Sequence, residues 1–279
     1  MRRRDFISLL GSVAAAWPFA ARTQPADDRV RALLFRILSL EAEGAAATIS
    51  QFLKEMESQI GWTTQLPWSV GTMDQRRTDG VRLLRQVPAI NNIDMLDATG
   101  KEQLHMERLA TDVVGRNTDF SQDPRFTEAV AHKVYYGPVY LHRQSEPFML
   151  LSLAGTRRES GVSVAEIGLK LVWDVVSQIK VGEHGGAYVV DREGRLIAHP
   201  DISLVLRNTD MSKLAQVQAA RVAGDGPRQV QAARDIDDRD VLSASARVAL
   251  PGLGWHVFVE LPVAEVDTAF HDVRSGNAE

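Results

Sequence analysis

Residues 27–60 run without a proline, and Val30, Leu33, Leu34, Ile37, Leu38, Glu41, Ala45, Thr48, Ile49, Phe52, Leu53, Met56 and Ile60 recur mostly three and four positions apart. That period marks an amphipathic helix, because residues at those spacings share a face. A continuous helix over this stretch is about 50 Å long, longer than most globular helices. It must therefore run along whatever follows it. Ala45-Ala46-Ala47 narrows its middle, which suits close approach by another helix. Two readings stand together: the helix lies along its own domain, and it also supplies a homodimer contact. A second helix is predicted over 74–86, stopping before Pro88.

Beyond residue 88 the pattern changes to short β-like runs bounded by turns. Residues 89–97 alternate and end in Asp97-Ala98-Thr99-Gly100-Lys101, a hairpin signal, with 103–108 returning. A polar loop over 115–124 leads into a short helix at 124–133, then strands at 134–141, 147–154 and 162–169 and a helix at 171–179 with Trp173 and Val176 inward. The pattern then restarts. Strands at 185–190 and 195–199 flank Asp191-Arg192-Glu193-Gly194, a helix is predicted over 210–223, and strands follow at 228–233, 240–249 and 255–261. A closing helix runs from Val263 to about Val273. Two hairpins with Asp-x-x-Gly turns, each followed by a helix and three antiparallel strands, imply an α+β chain with two similar modules in tandem.

Composition removes several alternatives. The 279 residues are 44% hydrophobic and 24% charged, the balance of a globular chain with room for one large or two modest domains. With no cysteine, a disulfide scaffold, thiolate metal sites and a thiol nucleophile are excluded. A formal net charge of -4 argues against nucleic acid as a partner, since that needs a basic surface.

The first residues read as an address. Arg2, Arg3 and Arg4 precede an apolar stretch from Phe6 to Ala16, and Trp17-Pro18 breaks it before small residues. Charged, apolar, small is the order of a secretory signal, and Arg3-Arg4-Asp5-Phe6-Ile7 resembles the twin-arginine export motif. The expected location is the periplasm, free if the leader is cut near Ala21-Arg22-Thr23 and tethered to the inner membrane if it is not. The expected division is a leader over 1–23, a helical region over 24–87, modules over 88–180 and 181–265, and a tail over 266–279.

The order of elements resembles the double Cache domains of bacterial sensors, a long N-terminal helix followed by two PAS-like modules, one distal and one proximal to the membrane. The residues that carry the resemblance are Val134-Tyr135-Tyr136-Gly137-Pro138-Val139-Tyr140, the run from Gly182 to Asp191, Gly194-Arg195-Leu196-Ile197-Ala198-His199-Pro200-Asp201 and Gly254-Trp255-His256-Val257-Phe258-Val259. The resemblance covers roughly 27–265 and implies ligand sensing but leaves the output unexplained; a membrane-bound signalling partner is the expectation for it. In such domains the ligand usually lies in the distal module. Amino-acid-binding members present an aromatic shortly before an Arg, a Trp-Tyr pair after it, a Tyr-x-Asp and a later Asp. Here Phe120 and Arg125 match the first part, Thr127 and Glu128 replace the aromatic pair, Tyr140 matches the Tyr, His142 stands in for the Asp and Glu166 falls near the later Asp. Phe120, Arg125, Tyr136, Tyr140, His142 and Glu166 are thus the candidate ligand-binding residues.

Arg125 has the fork that grips a carboxylate through two parallel hydrogen bonds, whereas an ammonium group would lose a partner, so a small carboxylate or other polar metabolite is expected over a free α-amino acid. A plainer role for Arg125 is pairing with Asp123 or Glu128. Tyr136 and Tyr140, at even spacing, are expected on one face of their strand, serving the ligand or the core. Met149, Leu151 and Leu153 are expected in the core, and His199 is expected to cap a turn with Asp201.

No catalytic constellation emerges. The seven histidines never stand four apart, there is no G-x-S-x-G elbow or phosphate-binding glycine loop, and Asp235-Ile236-Asp237-Asp238 lacks the spacing of a calcium loop. No enzyme, metal or cofactor is expected. The other reading is a periplasmic solute-binding protein that delivers its ligand to a transporter, although such carriers have parallel sheets in two hinged lobes.

Overall fold

A computed structural model describes residues 24–109, 112–142, 146–222 and 231–266, with the side chains of 24–31, 142 and 231 left out. The expected leader, the turn expected at 224–227, the start of the strand expected at 228–233 and the closing helix beyond residue 266 lie outside the described residues. Helix α1 (Gln24–Gly61) is unbroken, as its proline-free stripe requires. Leu38, Ala42, Ala45, Ala46, Ile49, Leu53, Met56 and Ile60 are its buried members, while Leu33, Ile37 and Leu40 are exposed. Helix α2 (Met73–Gln86) begins at Thr72, whose side chain accepts from the Gln75 backbone N–H at 3.2 Å.

The first sheet contains β1 (Ile90–Leu96), β2 (Glu102–Glu107), β3 (Val113–Val114), β4 (Val134–His142), β5 (Glu146–Ala154) and β6 (Val162–Gly168), in the order β3-β2-β1-β6-β5-β4. Helix α3 (Pro124–His132) precedes β4, and α4 (Lys170–Gln178) leaves the sheet. The second sheet contains β7 (Gly186–Val190), β8 (Leu196–Ala198), β9 (Gln231–Arg234), β10 (Asp240–Arg247) and β11 (His256–Pro262), in the order β8-β7-β11-β10-β9. Helices α5 (Ile202–Leu206) and α6 (Ala215–Val222) lie between β8 and β9. Every pairing is antiparallel. Apart from the short β3, the two sheets have one topology: the first and last strands of each module are central neighbours.

The two Asp-x-x-Gly hairpins are built alike. Asp97 Oδ1 accepts from the backbone N–H of Thr99 and Lys101, and Asp191 Oδ1 from those of Glu193 and Arg195. Each hairpin then pairs with a returning Asp-x-Ser segment, Lys101 with Asp119 and Arg195 with Asp210. Gly100 (φ +85°) and Gly194 (φ +89°) sit against the Cα atoms of Ser121 and Ser212.

Helix α1 joins the modules. Midway, Ser50 Oγ donates to the Ala249 carbonyl at 3.5 Å, and just past its end the Thr63 and Ser163 hydroxyls share a hydrogen bond at 2.8 Å. Residues from α1 and from one face of each sheet form a single apolar core, including Met149, Leu151 and Leu153 as expected. No helix among the described residues is long and apolar enough to cross a membrane.

Two local expectations need correction, and one short element goes beyond them. The helix predicted over 210–223 starts only at Ala215, because Asp210 pairs with Arg195 and its side chain accepts from the Ser212 N–H at 2.8 Å. The short α5, capped by Asp201, was not legible. Val172 and Val176 form the buried face of α4, with Trp173 only half-buried.

Candidate ligand-binding site

Successive side chains of a strand point to opposite faces of the sheet. On β6, Ala165 and Ile167 face the core beneath α1, while Val162, Val164 and Glu166 face the other way. Val162 and Val164 are covered by Leu96, Ala129, Phe120, Phe126, Tyr135 and Leu150. Farther along this face the lining turns polar, and Glu166 is its centre.

Glu166 is 4% exposed and stands opposite Asn92 of β1 and Leu150 of β5. The Tyr140 hydroxyl donates to its Oε1 at 2.5 Å, and the Asn92 side-chain amide donates to its Oε2 at 3.0 Å. The Asn91 amide donates to Oε2 as well. Consecutive strand residues would normally diverge, but the register slips between Ile90 and Asn92, and this bulge lets both amides reach one carboxylate. Burial and the Glu166 bond raise the Tyr140 pKa; Arg125 acts against that rise and Asp94 adds to it, so both charges lie within electrostatic reach of the hydroxyl.

Arg125 comes from the start of α3, where Asp123 is the N-cap and Pro124 the first residue. Asp123 Oδ1 accepts from the Arg125 backbone N–H at 2.8 Å and from its Nε at 3.0 Å. The guanidinium lies 4.6 Å from the centre of the Phe120 ring, with 26% of the side chain exposed. Both readings of Arg125 thus bear on one geometry: the Asp123 pair holds it by Nε, which leaves the guanidinium plane oriented over Phe120.

Beside them, Asp94 faces His105 across β1 and β2, and their side chains meet through Asp94 Oδ1 and His105 Nδ1. That bond is the main reason the His105 pKa is raised. Ligand-type atoms of Asp94, Glu102 and His105 lie within 4.8 Å of one another, and Arg116 Nε stands 4.0 Å from Glu102.

Of the six candidates, Arg125 and Phe120 stack together and Tyr140 and Glu166 bond together. Tyr136 goes elsewhere, against the expectation that even spacing keeps it beside Tyr140. The ladder pairs Tyr136 with Leu151 but Val139 with Met149, so Gly137-Pro138 form a bulge that inverts the alternation. Gly137 lacks the Cβ that would come 3.3 Å from Leu150, and Pro138 has no N–H to give to a ladder. Tyr136 therefore turns toward α1 and donates its hydroxyl to Glu57; burial and that bond raise its pKa. His142 pairs through its backbone with Glu146, and its side chain lies outside the described residues. Sequence reasoning passed over Asn91, Asn92, Asp94 and His105. The available signal was the alternation of Ile93 and Met95 with Asn92 and Asp94, a polar face on a central strand.

The family model of the Cache domain matches residues 23–270. Among curated proteins, the methyl-accepting chemotaxis protein PscA of Pseudomonas syringae pv. tomato is 26% identical over 111 residues, which are 40% of this chain and 16% of that protein's length. The crystal structure of the sensory domain of the Campylobacter jejuni chemoreceptor Tlp3 has a TM-score of 0.68 at 13% identity, covering 88% of this chain and 99% of that one. The ligand-binding domain of the Pseudomonas aeruginosa amino-acid chemoreceptor PctC, in complex with GABA, has a TM-score of 0.58 at 17% identity, covering 82% and 98%.

Proposed function

The chain belongs to the Cache-domain family, and we propose that it is an exported sensor whose first, membrane-distal module binds a small carboxylate-bearing metabolite and reports occupancy to a membrane-bound partner. The family is one of extracytoplasmic sensory ligand-binding domains. The observation that carries the ligand class is the Arg125 guanidinium, held over Phe120 and tied by Nε to Asp123, within electrostatic reach of Tyr140. With Nε committed, the terminal amino groups are the fork that meets a carboxylate. Phe120 supplies an apolar wall, and the Tyr140–Glu166 pair with its asparagines supplies polar contacts that fix orientation.

A second reading adds an amino group to the same ligand. Sequence reasoning disfavoured it because one carboxylate of the amino-acid pattern is replaced by His142. Asp94, which that reasoning passed over, brings a carboxylate back beside Glu166. Chemoreceptor domains of the same fold are described in complex with L-norvaline and GABA, which also combine the two groups.

The division into 24–87, 88–180 and 181–265, export by a twin-arginine leader and dimerisation through α1 belong to this proposal. Exposed Leu33, Ile37 and Leu40 support the dimer contact. The solute-carrier alternative loses its footing, because both sheets are antiparallel throughout rather than parallel and hinged. A thermal-shift panel of organic acids, amino acids, amines and purines tests the ligand class, and acids or amino acids are expected to give hits that Arg125→Ala removes.

A further inference from the structure

Glu166 has a counterpart in the second sheet. Just before the first hairpin Leu96 faces Val162, and just before the second Val190 faces His256. Four residues beyond each of these partners come Glu166, opposite Asn92, and Glu260, opposite Gly186. The two carboxylates occupy one rung of a repeated topology, on the same central strand of each module.

Their partners differ, most sharply at the facing residue. Glu260 is 8% exposed, and its Oε1 accepts from the Tyr188 hydroxyl at 2.7 Å, from Gln216 Nε2 at 2.9 Å and from Ser243 Oγ at 3.2 Å. In the first module the facing residue, Asn92, also gives an amide N–H to the other oxygen of Glu166. In the second that position is Gly186, which has no side chain to give. Among the described residues no cation pairs with Glu260 and no donor reaches its Oε2. Nearby, Gln216 is 2% exposed and its side-chain oxygen has no hydrogen-bond partner. A buried carboxylate without a countercharge is costly, and so is an unsatisfied buried acceptor.

Both Glu260 and Gly186 line a cavity of about 560 Å³, together with Tyr188, His199, Asp201 and Asp237. That is the size of a small-molecule pocket. Its wall also carries Lys180 and Arg207, but the five carboxylates of Glu183, Asp201, Asp235, Asp237 and Glu260 outnumber its Lys and Arg side chains, and Arg239 is held by Asp235 and Asp237 at 2.7 and 3.1 Å. The Tyr188 ring, stacked on Phe258 with centroids 5.0 Å apart, adds an aromatic wall.

We propose that this cavity is a second ligand site, for a small organic cation whose ammonium N–H reaches Glu260 from the side that Asn92 occupies at Glu166. The protein would then read two chemistries, one in each module.

Isothermal titration of the full chain with ethanolamine, putrescine and tyramine, each against the corresponding uncharged alcohol, tests this. At least one amine is expected to bind while its alcohol does not. Its affinity should fall tenfold or more in Glu260→Gln and stay unchanged in Arg125→Ala. Absence of binding by all three amines, retention of affinity in Glu260→Gln, or loss in Arg125→Ala would each overturn the proposal. Should Glu260→Gln fail to fold, amide NMR of the unsubstituted protein with the same amines decides the matter. Shifts centred on Gly185, Gly186 and His199 support the site, and shifts confined to the neighbourhood of Asp94 and Arg125 refute it.

Discussion

The Tyr136 hydroxyl donates to Glu57 of the long helix, and this one bond ties the strand that carries Tyr140 to α1. Because of the bulge between them, the two tyrosines look out of opposite faces of the same strand. One reaches the polar group around Glu166 and the other reaches the helix.

Removing that tie should cost stability without touching the ligand groups. Tyr136→Phe leaves the Glu57 carboxylate without its partner, a loss of about 1 kcal/mol for a bond of this kind. For a chain of this size that lowers the melting temperature by roughly 2–4 °C. Urea denaturation of the two proteins measures it, and an unchanged midpoint would remove Tyr136 as a structural link.

The repeated hairpins should fail in the same way. Gly100→Ala would place a Cβ 2.7 Å from the Ser121 Cα, and Gly194→Ala one 2.8 Å from the Ser212 Cα, both at positive φ. The obstruction is backbone, which cannot swing aside, so each substitution is expected to cost about 1–3 kcal/mol. Chemical denaturation of each variant checks the pair, and a neutral result at either would show that its hairpin differs from the other.

The Asp94–His105 pair gives stability a defined pH dependence. The folded pKa of His105 is raised, chiefly by its bond to Asp94, so the folded state holds the proton more tightly than the unfolded chain. The contribution is fully present below the unfolded value of about 6.5 and is lost as pH rises through the higher folded value. The stability difference between the native protein and Asp94→Asn should therefore be large near pH 6 and shrink toward pH 8.5. A difference that grows with pH would reverse the assignment.

Glu260 works in the same direction at lower pH. Burial raises its folded pKa, against the three hydrogen bonds that favour the charged form. Its protonated form therefore stabilises the fold below about pH 4.3, and that benefit disappears as pH rises through the folded value. Glu260→Gln keeps an acceptor and removes the buried charge, so it should melt higher than the native protein at pH 7, with the gap closing on acidification. A lower melting temperature at pH 7 would mean that the carboxylate is better solvated than its burial implies.

Much of this architecture was legible because it rests on periodicity and turn chemistry. The stripe over 27–60 marked α1, and the Asp97 and Asp191 turns marked the two hairpins and the repeat. What escaped was whatever a break in alternation decides. Even spacing placed Tyr136 beside Tyr140, and only the Gly137-Pro138 bulge separates them. Likewise, Asn91 reaches Glu166 through a slipped register, which no count along the chain reveals. Arg125 was identifiable as a residue type at the head of a helix, but its seat on Phe120 is a tertiary fact.

Calorimetric titration of the protein with the acid or amino acid that gives the strongest thermal shift, repeated on Arg125→Ala, bears most directly on the ligand site. At about a hundred times its dissociation constant such a ligand should add roughly 2.7 kcal/mol of stability. Saturable binding that Arg125→Ala abolishes is expected, with the fold, followed by circular dichroism, retained. Binding that survives Arg125→Ala at full strength, or the absence of any carboxylate ligand, would contradict it.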